Sequence, residues 1–289
     1  MVKIVDGKKL ALALTADLQR QVTDLGKKEI RPRLVSIIIG DDLLSHLYIS
    51  LKQKSAKKIG IEFERKEFVL SADDEAIERY IKEKNKDKKI HGIMVQLPIP
   101  RRSEDRVLKI LSMIEPKKDV DCLTPENFGL LAMGNPRFLP ATVEAVLTIL
   151  RHEKVKILGK NVVVVGASNI IGKPLALILK NLNERGTVTI CQSKTKDLFS
   201  FTSRADILIS ATGVGGLIKE EMVGRGAVVI DVGESRIGGK VVGDVDFEGV
   251  KRKASLITPV PGGVGPLTVV SLLKNTLLAA CQLSAGVIK

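Results

Sequence analysis

The chain has 289 residues, a length that allows two domains of ordinary size, each with its own hydrophobic core. Its formal net charge of +13 suits an anionic ligand or nucleic acid, but only 3% of its residues are aromatic, which leaves few rings to stack on single-stranded bases. Three widely separated cysteines argue against a disulfide framework or a zinc site, so no metal is expected.

The segments that would direct the chain to a membrane or out of the cell are not evident in the sequence. The first residues, MVKIVDGKKLALAL, have no small-residue cleavage site after their short apolar part. No apolar run approaches the roughly 20 residues of a membrane span. We therefore expect a cytoplasmic protein that binds no membrane.

The first half of the chain alternates predicted helices and strands. Apolar residues at helical spacing predict an amphipathic helix over residues 7–25. Further strands are predicted at 33–40, 64–70 and 92–97, and further helices at 41–60, from 73, and at 103–114. This alternation is typical of a parallel α/β sheet. The stretch that follows Pro116, as far as Thr142, has no useful periodicity and predicts an extended functional loop.

The second half is built around NVVVVGASNIIGKP, Asn161 to Pro174. Four consecutive valines predict a strand buried on both faces, and Gly166 then turns the chain toward a helix that can begin at Asn169. Such a helix N-terminus can bind phosphate. Because the spacing is G-x5-G rather than G-x-G-x-x-G, a nucleotide ligand and a plain strand-to-helix turn are equally compatible with it. Later strands predicted at 187–191, 206–210, 227–232 and 255–258 complete a small doubly wound domain.

Several polar side chains in the first half could carry chemistry. Tyr48 and Lys52 share one helix face, where a ring could stack on a planar ligand and an amine with a lowered pKa could transfer protons. By spacing alone, a solvated helix face is the simpler interpretation. Gln96 ends a predicted strand at the edge where α/β ligand sites form, although from the sequence alone an ordinary loop hydrogen bond is the slightly favoured role for its side chain. Asp119 and Asp121 could orient a polar ligand or make an Asx turn.

In the second half, Ser193, Lys194 and Lys196 follow a predicted strand at the place where a dinucleotide domain presents an acidic residue to a ribose diol. No Asp or Glu occurs between Gly186 and Lys196. Hydroxyl and ammonium groups suit a 2′-phosphate, so this segment favours NADP over NAD. The stretch SATGVGG, residues 210–216, would let a ligand approach the backbone closely, although a flexible turn fits it equally well.

Taken in order, these segments resemble one family, the bifunctional methylenetetrahydrofolate dehydrogenase/methenyltetrahydrofolate cyclohydrolases. The resemblance covers nearly the whole chain. The strings that carry it are YISLK (48–52), GIMVQLPIP (92–100), KKDVD (117–121), VVVVGAS with IIGKP, ADILISATG (205–213), AVVIDVG (227–233), GDVDF (243–247) and ITPVPGGVGPLT (257–268).

The resemblance implies a two-domain α/β fold with an interdomain cleft. Residues 1–141 would form an N-terminal folate-binding catalytic domain, on which the final helix, 267–289, packs back. Residues 142–266 would form a Rossmann-like parallel-sheet domain for the dinucleotide. The implied activity is oxidation of 5,10-methylenetetrahydrofolate with a nicotinamide cofactor and hydrolysis of the methenyl product to 10-formyltetrahydrofolate. A homodimer serving one-carbon metabolism and purine biosynthesis is expected.

The resemblance also assigns roles by position. Lys52 is expected to be the acid/base group, Tyr48 to stack on the aminobenzoyl ring, Gln96 to hydrogen-bond Lys52, and Asp121 to anchor the pterin. The loop residues expected to border the folate are Pro261, Gly262 and Gly263. The positions expected to bind the cofactor are Gly166, Ala167, Ser168, Ile171, Ser193, Thr212, Gly213, Glu234 and Thr268.

Some positions depart from the family pattern. Ala167 stands where the family usually has an Arg that helps hold the 2′-phosphate, so NADP is expected and NAD is possible. Cys122 replaces a usual Gly, and Glu234 brings a charge to the cofactor pocket. Two alternatives stay open: a monofunctional dehydrogenase or cyclohydrolase of this family, and a non-catalytic nucleotide- or nucleic-acid-binding protein that uses the basic surface.

Overall fold

The computed structural model describes residues 2–181 and 186–284. The strands are Lys3–Ile4 (β1), Arg33–Ile39 (β2), Glu62–Phe68 (β3), Gly92–Val95 (β4), Asn161–Val165 (β5), Thr187–Cys191 (β6), Ile207–Ser210 (β7), Val228–Asp231 (β8), Ser235–Ile237 (β9), Lys240–Val242 (β10) and Leu256–Ile257 (β11). The helices are Gly7–Gly26 (α1), Leu43–Ile59 (α2), Asp74–Lys86 (α3), Glu104–Ser112 (α4), Pro125–Ala132 (α5), Ala141–His152 (α6), Gly172–Asn181 (α7), Leu198–Thr202 (α8), Phe247–Val250 (α9) and Val264–Ser284 (α10).

The described residues fall into two compact units. The β2 unit comprises Leu12–Ala141 with residues 269–284, and the β5 unit comprises residues 2–11 with Thr142–Thr268. Helices α1 and α10 each pass from one unit into the other.

In the β2 unit, strands β3, β2 and β4 form a parallel sheet in that order. The central strand is buried on both faces from Leu34 to Ile39, and all of these residues except Ser36 are apolar. On one face the sheet packs on a core of Val35, Ile37, Ile39, Ile77, Ile81, Ile90, Ile93, Val95, Ile99, Ile110, Leu111 and Ile114. Since the strands are parallel, Gly40, residue 69 and Gln96 follow their carboxyl ends at one edge of the sheet.

Helix α2 begins and ends where its terminal residues satisfy the free backbone groups. The Asp42 carboxylate accepts a hydrogen bond from Ser45 N at 2.8 Å, which caps the N-terminus. Gly60 adopts the left-handed conformation, φ 87°, and its N–H reaches back to the last turn. These two caps fix the register of the helix that carries Tyr48 and Lys52.

In the β5 unit, six strands form one sheet in the order β1, β11, β8, β7, β5, β6, and all neighbours in this sheet are parallel. Strands β9 and β10 pair antiparallel in a separate two-stranded sheet. The four valines Val162–Val165 of β5 are buried, as their unbroken run predicts. From β5 the chain continues to β6 on one side, and later to β7 on the other. This change of direction is a topological switch point, where α/β sheets form a ligand crevice at the carboxyl ends of their strands.

The structure differs from the sequence expectation in three helices. Helix α5 lies inside the stretch expected to be an extended loop; Thr124 caps it by accepting from Asn127 N, and Pro125 occupies the first turn. Its eight residues are too few to show a helical period. Helix α7 starts at Gly172 rather than Asn169, and α10 starts before residue 267, at Val264. Residues 285–289 of the expected final helix lie outside the described residues.

The N-terminal residues also differ from expectation. Strand β1 pairs with β11 through Lys3 with Leu256 and Ile4 with Ile257, which places residues 2–11 in the β5 unit rather than with the catalytic domain. A two-residue strand leaves no periodicity in the sequence. Among the described residues, α10 is the helix long and apolar enough to cross a membrane, contrary to the sequence expectation, but 61% of its apolar stretch is buried inside the fold, as in a core helix.

Candidate active site

Lys52 is a buried amine held by one well-formed hydrogen bond. Its residue surface is 8% exposed, and Nζ donates to Gln96 Oε1 at 2.8 Å and lies 3.8 Å from Met94 Sδ. Gln96 is fixed in turn, because its backbone N donates to Ile37 O and its Nε2 donates to Leu97 O, both at 2.8 Å. The amide oxygen of Gln96 is therefore directed at the amine by the end of β4.

Burial brings the Lys52 amine closer to neutrality. Burial lowers the pKa of Lys52, and the Asp121 carboxylate opposes this by favouring the ammonium. Burial also raises the pKa of Asp121, while Lys52 and a hydrogen bond from the Ala141 backbone lower it and Asp119 raises it. An amine with a lowered pKa can accept a proton near neutral pH, as a general base must.

Tyr48 lies one helical turn before Lys52 on α2 and is half-buried. Side chains four apart share a helix face, so its ring borders the same side of α2 as the amine. The structure thus joins Lys52 to Gln96 by a hydrogen bond, and the charges of Lys52 and Asp121 interact. Tyr48 joins them through helical spacing.

The two aspartates of KKDVD have different environments. Asp119 is 1% exposed, and its carboxylate accepts from Leu123 N at 3.1 Å, from Thr124 N at 2.8 Å and from Asn127 Nδ2 at 2.9 Å. It therefore holds the turn that follows, as in the Asx-turn alternative, and has no spare role in chemistry. Asp121 is the member of the pair whose charge interacts with that of Lys52.

Lys118 in the same segment is a scaffold residue that the sequence did not reveal. Its Nζ donates to the backbone oxygens of Lys84, Asn85 and Asp87, at 3.1, 2.7 and 2.7 Å, and so closes the C-terminus of α3. Cys122, on the other side of Asp121, is fully buried and adopts φ 60°. A left-handed conformation favours glycine, which accounts for the family's usual residue at this position.

The predicted phosphate turn sits at the switch point of the β5 unit. Gly166 adopts φ 113°, and a Cβ there would overlap the carbonyl of Ala211 after β7. A Cβ at Gly172 would overlap the carbonyl of Gly166. Both glycines are therefore needed for the turn to pack against β7 and α7. Within the turn, Ile171 N donates to Ser168 Oγ at 3.2 Å.

Asp244 is a buried carboxylate that sequence reasoning did not single out, although it lies in the string GDVDF. Its Oδ2 accepts from Ser210 Oγ at 2.9 Å and from Thr212 N at 2.6 Å, which fixes the loop that begins at the end of β7. Its Oδ1 is buried without a hydrogen-bond partner among the described residues and lies against Gly233, where a Cβ would overlap it. Asp244 thus ties two predicted cofactor segments together.

Asp231, in the string AVVIDVG, completes this arrangement. Its carboxylate accepts from Gly233 N and Asp244 N at 3.1 Å and from Val245 N at 2.9 Å. Burial raises the pKa of Asp231 to about 7, although these N–H groups favour the carboxylate. The segment that ends in Glu234 is held by these bonds, and burial raises the pKa of Glu234, with Arg236 opposing.

The residues expected near a 2′-phosphate lie on the surface. Ser193, Lys194 and Lys196 are exposed in the loop after β6, and Ala167 is half-buried. The loop predicted to border the folate lies between β11 and α10 in the β5 unit, where Gly262 adopts φ 108°. It comprises Pro261, Gly262 and Gly263. Thr268 Oγ1 donates to Val264 O at 3.4 Å within α10.

Both halves of the chain match known family models. Residues 5–121 match the catalytic domain of tetrahydrofolate dehydrogenase/cyclohydrolase, and residues 140–284 match its NAD(P)-binding domain. The chain belongs to the tetrahydrofolate dehydrogenase/cyclohydrolase family. This confirms the resemblance drawn from the sequence, the two-domain α/β fold with catalytic and NAD(P)-binding domains, and the expected dehydrogenase/cyclohydrolase activity.

Relatives of the same family match the chain from end to end. The bifunctional protein FolD of Exiguobacterium sibiricum is 44% identical and covers 97% of this chain and 100% of its own. The crystal structure of the bifunctional enzyme FolD from Campylobacter jejuni superposes with a TM-score of 0.93 at 39% identity, covering 98% of this chain and 99% of its own. The structure of Trypanosoma brucei FolD, solved with NADP and an inhibitor, superposes with a TM-score of 0.93 at 39% identity, and the match covers 100% of this chain and 99% of that one.

Proposed function

We propose that this chain oxidises 5,10-methylenetetrahydrofolate with NADP and hydrolyses the resulting 5,10-methenyltetrahydrofolate to 10-formyltetrahydrofolate, with Lys52 as the acid/base group. The observation that carries this assignment is the buried Lys52 amine, hydrogen-bonded to Gln96 and charge-coupled to Asp121. The structural Lys118 is also buried, but its amine donates to three backbone oxygens. Among the described residues the Lys52 amine has one oxygen acceptor, Gln96 Oε1, and its pKa is lowered, so it keeps N–H groups for a substrate, which suits proton transfer.

For hydrolysis, the substrate's methenyl carbon is the electrophile. Lys52 accepts a proton from the water whose oxygen bonds to that carbon, and Gln96 holds the amine in place during the transfer. When the bond from this carbon to the ring nitrogen N5 breaks, Lys52 returns a proton to the nitrogen. The second water proton leaves to solvent as the formyl group forms. Net consumption is one water, with release of one proton.

The folate would be oriented by the two other residues of the set. Asp121 presents carboxylate oxygens that can accept hydrogen bonds from the N–H groups of the pterin. Tyr48, half-buried on the same side of α2, offers a ring on which the aminobenzoyl group can stack. Asp119 is excluded from this role because its oxygens are already occupied by three protein donors.

For oxidation, bound NADP supplies the nicotinamide ring that accepts the hydride. The described residues fit a dinucleotide, because Gly166 and Gly172 allow a tight turn at the switch point and Gly213 is open to close approach, with no atom within 4 Å of an added Cβ. Gly166, Ala167, Ser168 and Ile171 would hold the pyrophosphate. The nicotinamide would be held by Thr212, Gly213, Glu234 and Thr268, and the 2′-phosphate by Ser193 with its neighbouring lysines.

NADP is supported by the NADP complex of the Trypanosoma brucei relative and by the exposed cations after β6. We further propose that the chain acts as a cytoplasmic homodimer in the one-carbon metabolism that supplies purine biosynthesis. This proposal rests on the membership of the family. Light scattering of the purified protein measures its mass in solution. We expect the mass of a dimer, and the mass of a monomer would contradict this proposal.

Assaying the two half-reactions separately tests the proposed function. Purified protein is supplied with methenyltetrahydrofolate alone, and then with methylenetetrahydrofolate and NADP. Loss of methenyl absorbance in the first assay and formation of reduced cofactor in the second are expected. Turnover in one assay only would establish a monofunctional enzyme, and turnover in neither would refute the assignment.

A further inference from the structure

A surface pocket of about 190 Å³ lies beside the loops that follow β3 and β4. Its lining comprises three arginines, Arg101, Arg102 and Arg106, together with Leu70, Ser71, Ala72 and Pro100. None of the residues assigned above to catalysis or cofactor binding belongs to this lining among the described residues.

The charges at this pocket are unbalanced. Asp74 accepts from Arg102 Nε at 3.0 Å and from Arg106 Nε at 2.9 Å, so one carboxylate serves two guanidinium groups. Arg101 is exposed and has no hydrogen-bond or ion-pair partner in the part of the chain that the structure describes. Because three arginines share one carboxylate, two positive charges remain to be balanced by solvent or by a ligand.

Arg102 supplies a second and independent observation. Its side chain is only 4% exposed, and it donates through Nε to Asp74 and through Nη2 to Ala72 O at 2.8 Å. Its Nη1 is buried with no hydrogen-bond partner among the described residues. A buried guanidinium with an unmet donor, in the wall of a basic pocket, is the arrangement that a bound anion would complete.

The pocket shares the sheet edge at which Lys52 and Gln96 meet. Gly40, directly after β2, contacts both loops: an added Cβ would lie 3.5 Å from Leu70 Cδ1 and 3.6 Å from the Pro100 ring. Gln96, directly after β4, precedes Arg101 by five residues. A five-residue extended chain spans at most about 18 Å, so the Cα atoms of Gln96 and Arg101 are within that distance.

We propose that this arginine pocket binds the carboxylates of a polyglutamate extension on the folate substrate. The inference rests on the proposed function, because it needs a folate held at Tyr48 and Lys52. Folate ends in a glutamate attached to the aminobenzoyl group, and each further γ-linked glutamate adds one carboxylate. Even at the roughly 3.4 Å per residue of an α-linked chain, about five glutamates cover the distance of at most about 18 Å between Gln96 and Arg101. Guanidinium groups match carboxylates in shape and charge.

The test compares substrates that differ only in glutamate number. KM is measured with NADP for methylenetetrahydrofolate carrying one and five glutamates, in the wild-type protein, Arg101→Ala and Arg101→Glu. We expect about tenfold lower KM for pentaglutamate in the wild type. Arg101→Ala reduces this preference about two- to fivefold, the range for one exposed ion pair, and Arg101→Glu reduces it more. Arg102 is not substituted because it donates hydrogen bonds to the Asp74 carboxylate and to the backbone oxygen of Ala72.

Lys109→Ala is the matched control, because it removes an exposed cation on α4 that lies outside the pocket, and the preference should persist in it. Normal turnover with equal KM for both substrates would overturn this inference and leave the proposed function intact. No turnover with either substrate would remove both. If chain length has no effect while inorganic phosphate binds to the wild type and not to Arg101→Glu, the pocket serves a free anion and the inference is likewise overturned.

Discussion

Replacing Gln96 by leucine removes the oxygen that accepts the Lys52 hydrogen bond while keeping a side chain of similar size. The lost bond measures 2.8 Å and joins a residue only 8% exposed, so water does not readily replace it. Hydrogen bonds to charged groups contribute about 1.5–3 kcal/mol. If that interaction supports the transition state in full, cyclohydrolase kcat falls by about 10- to 150-fold.

The pH profile separates this mechanism from simple damage. Because the neutral amine acts as base, the rate rises with pH through the pKa of Lys52. Leucine at position 96 withdraws an acceptor from the ammonium, so the pKa of Lys52 falls further and the rising limb moves to lower pH. Gln96→Glu places a carboxylate there, which stabilises the ammonium, raises the pKa of Lys52 and moves the limb to higher pH.

The assay follows the loss of methenyl absorbance across pH for the wild type and both variants. Gln53→Leu is the control, because Gln53 neighbours Lys52 on α2 but is exposed. Opposite displacements of the limb in Gln96→Leu and Gln96→Glu are expected. Displacement in the same direction, or a wild-type profile in both, would refute the coupling between Gln96 and Lys52.

Three further predictions concern the scaffold and the cofactor. Asp119→Ala leaves three buried donors without an acceptor and should lower the free energy of unfolding by about 3 kcal/mol or more in urea denaturation; a change below about 1 kcal/mol would be contrary. Ala167→Arg should lower KM for NADP about tenfold and leave KM for NAD unchanged in steady-state assays. An unchanged KM for NADP would show that the 2′-phosphate is bound elsewhere. Asp244→Ala releases Thr212 N and Ser210, so it should raise the Kd for NADP in a fluorescence titration, whereas wild-type affinity would exclude this positioning role.

The sequence could predict those parts of the fold that leave a long or repeated pattern. The unbroken valine run Val162–Val165 marked a strand buried in a parallel sheet, and alternating elements marked the α/β class. Strand β1 and helix α5 were not predicted because they are too short to show a period. Helix α5 depends on the Thr124 cap and Pro125, which are local signals inside a stretch without other regularity.

The candidate site was predictable only as far as residue types and spacing reach. Helical spacing placed Tyr48 and Lys52 on one face, but the depth of Lys52 comes from tertiary packing, which no local pattern reports. The same holds for Asp119 and Asp121, which look alike in the sequence. Their different roles arise because the residues after Asp119 donate three hydrogen bonds to its carboxylate, whereas the charge of Asp121 interacts with that of Lys52. The expected interdomain cleft stays a prediction.

Lys52→Met tests the assigned chemistry most directly, because it removes the amine and keeps an unbranched side chain. Hydrolysis of supplied methenyltetrahydrofolate and binding of NADP are measured on the same preparation, with Lys54→Met, an exposed lysine on α2, as the control. We predict that hydrolysis falls by about 10²- to 10⁴-fold, the contribution of a general acid/base, while the Kd for NADP stays within about twofold. Hydrolysis at the wild-type rate in Lys52→Met would contradict the role assigned to Lys52.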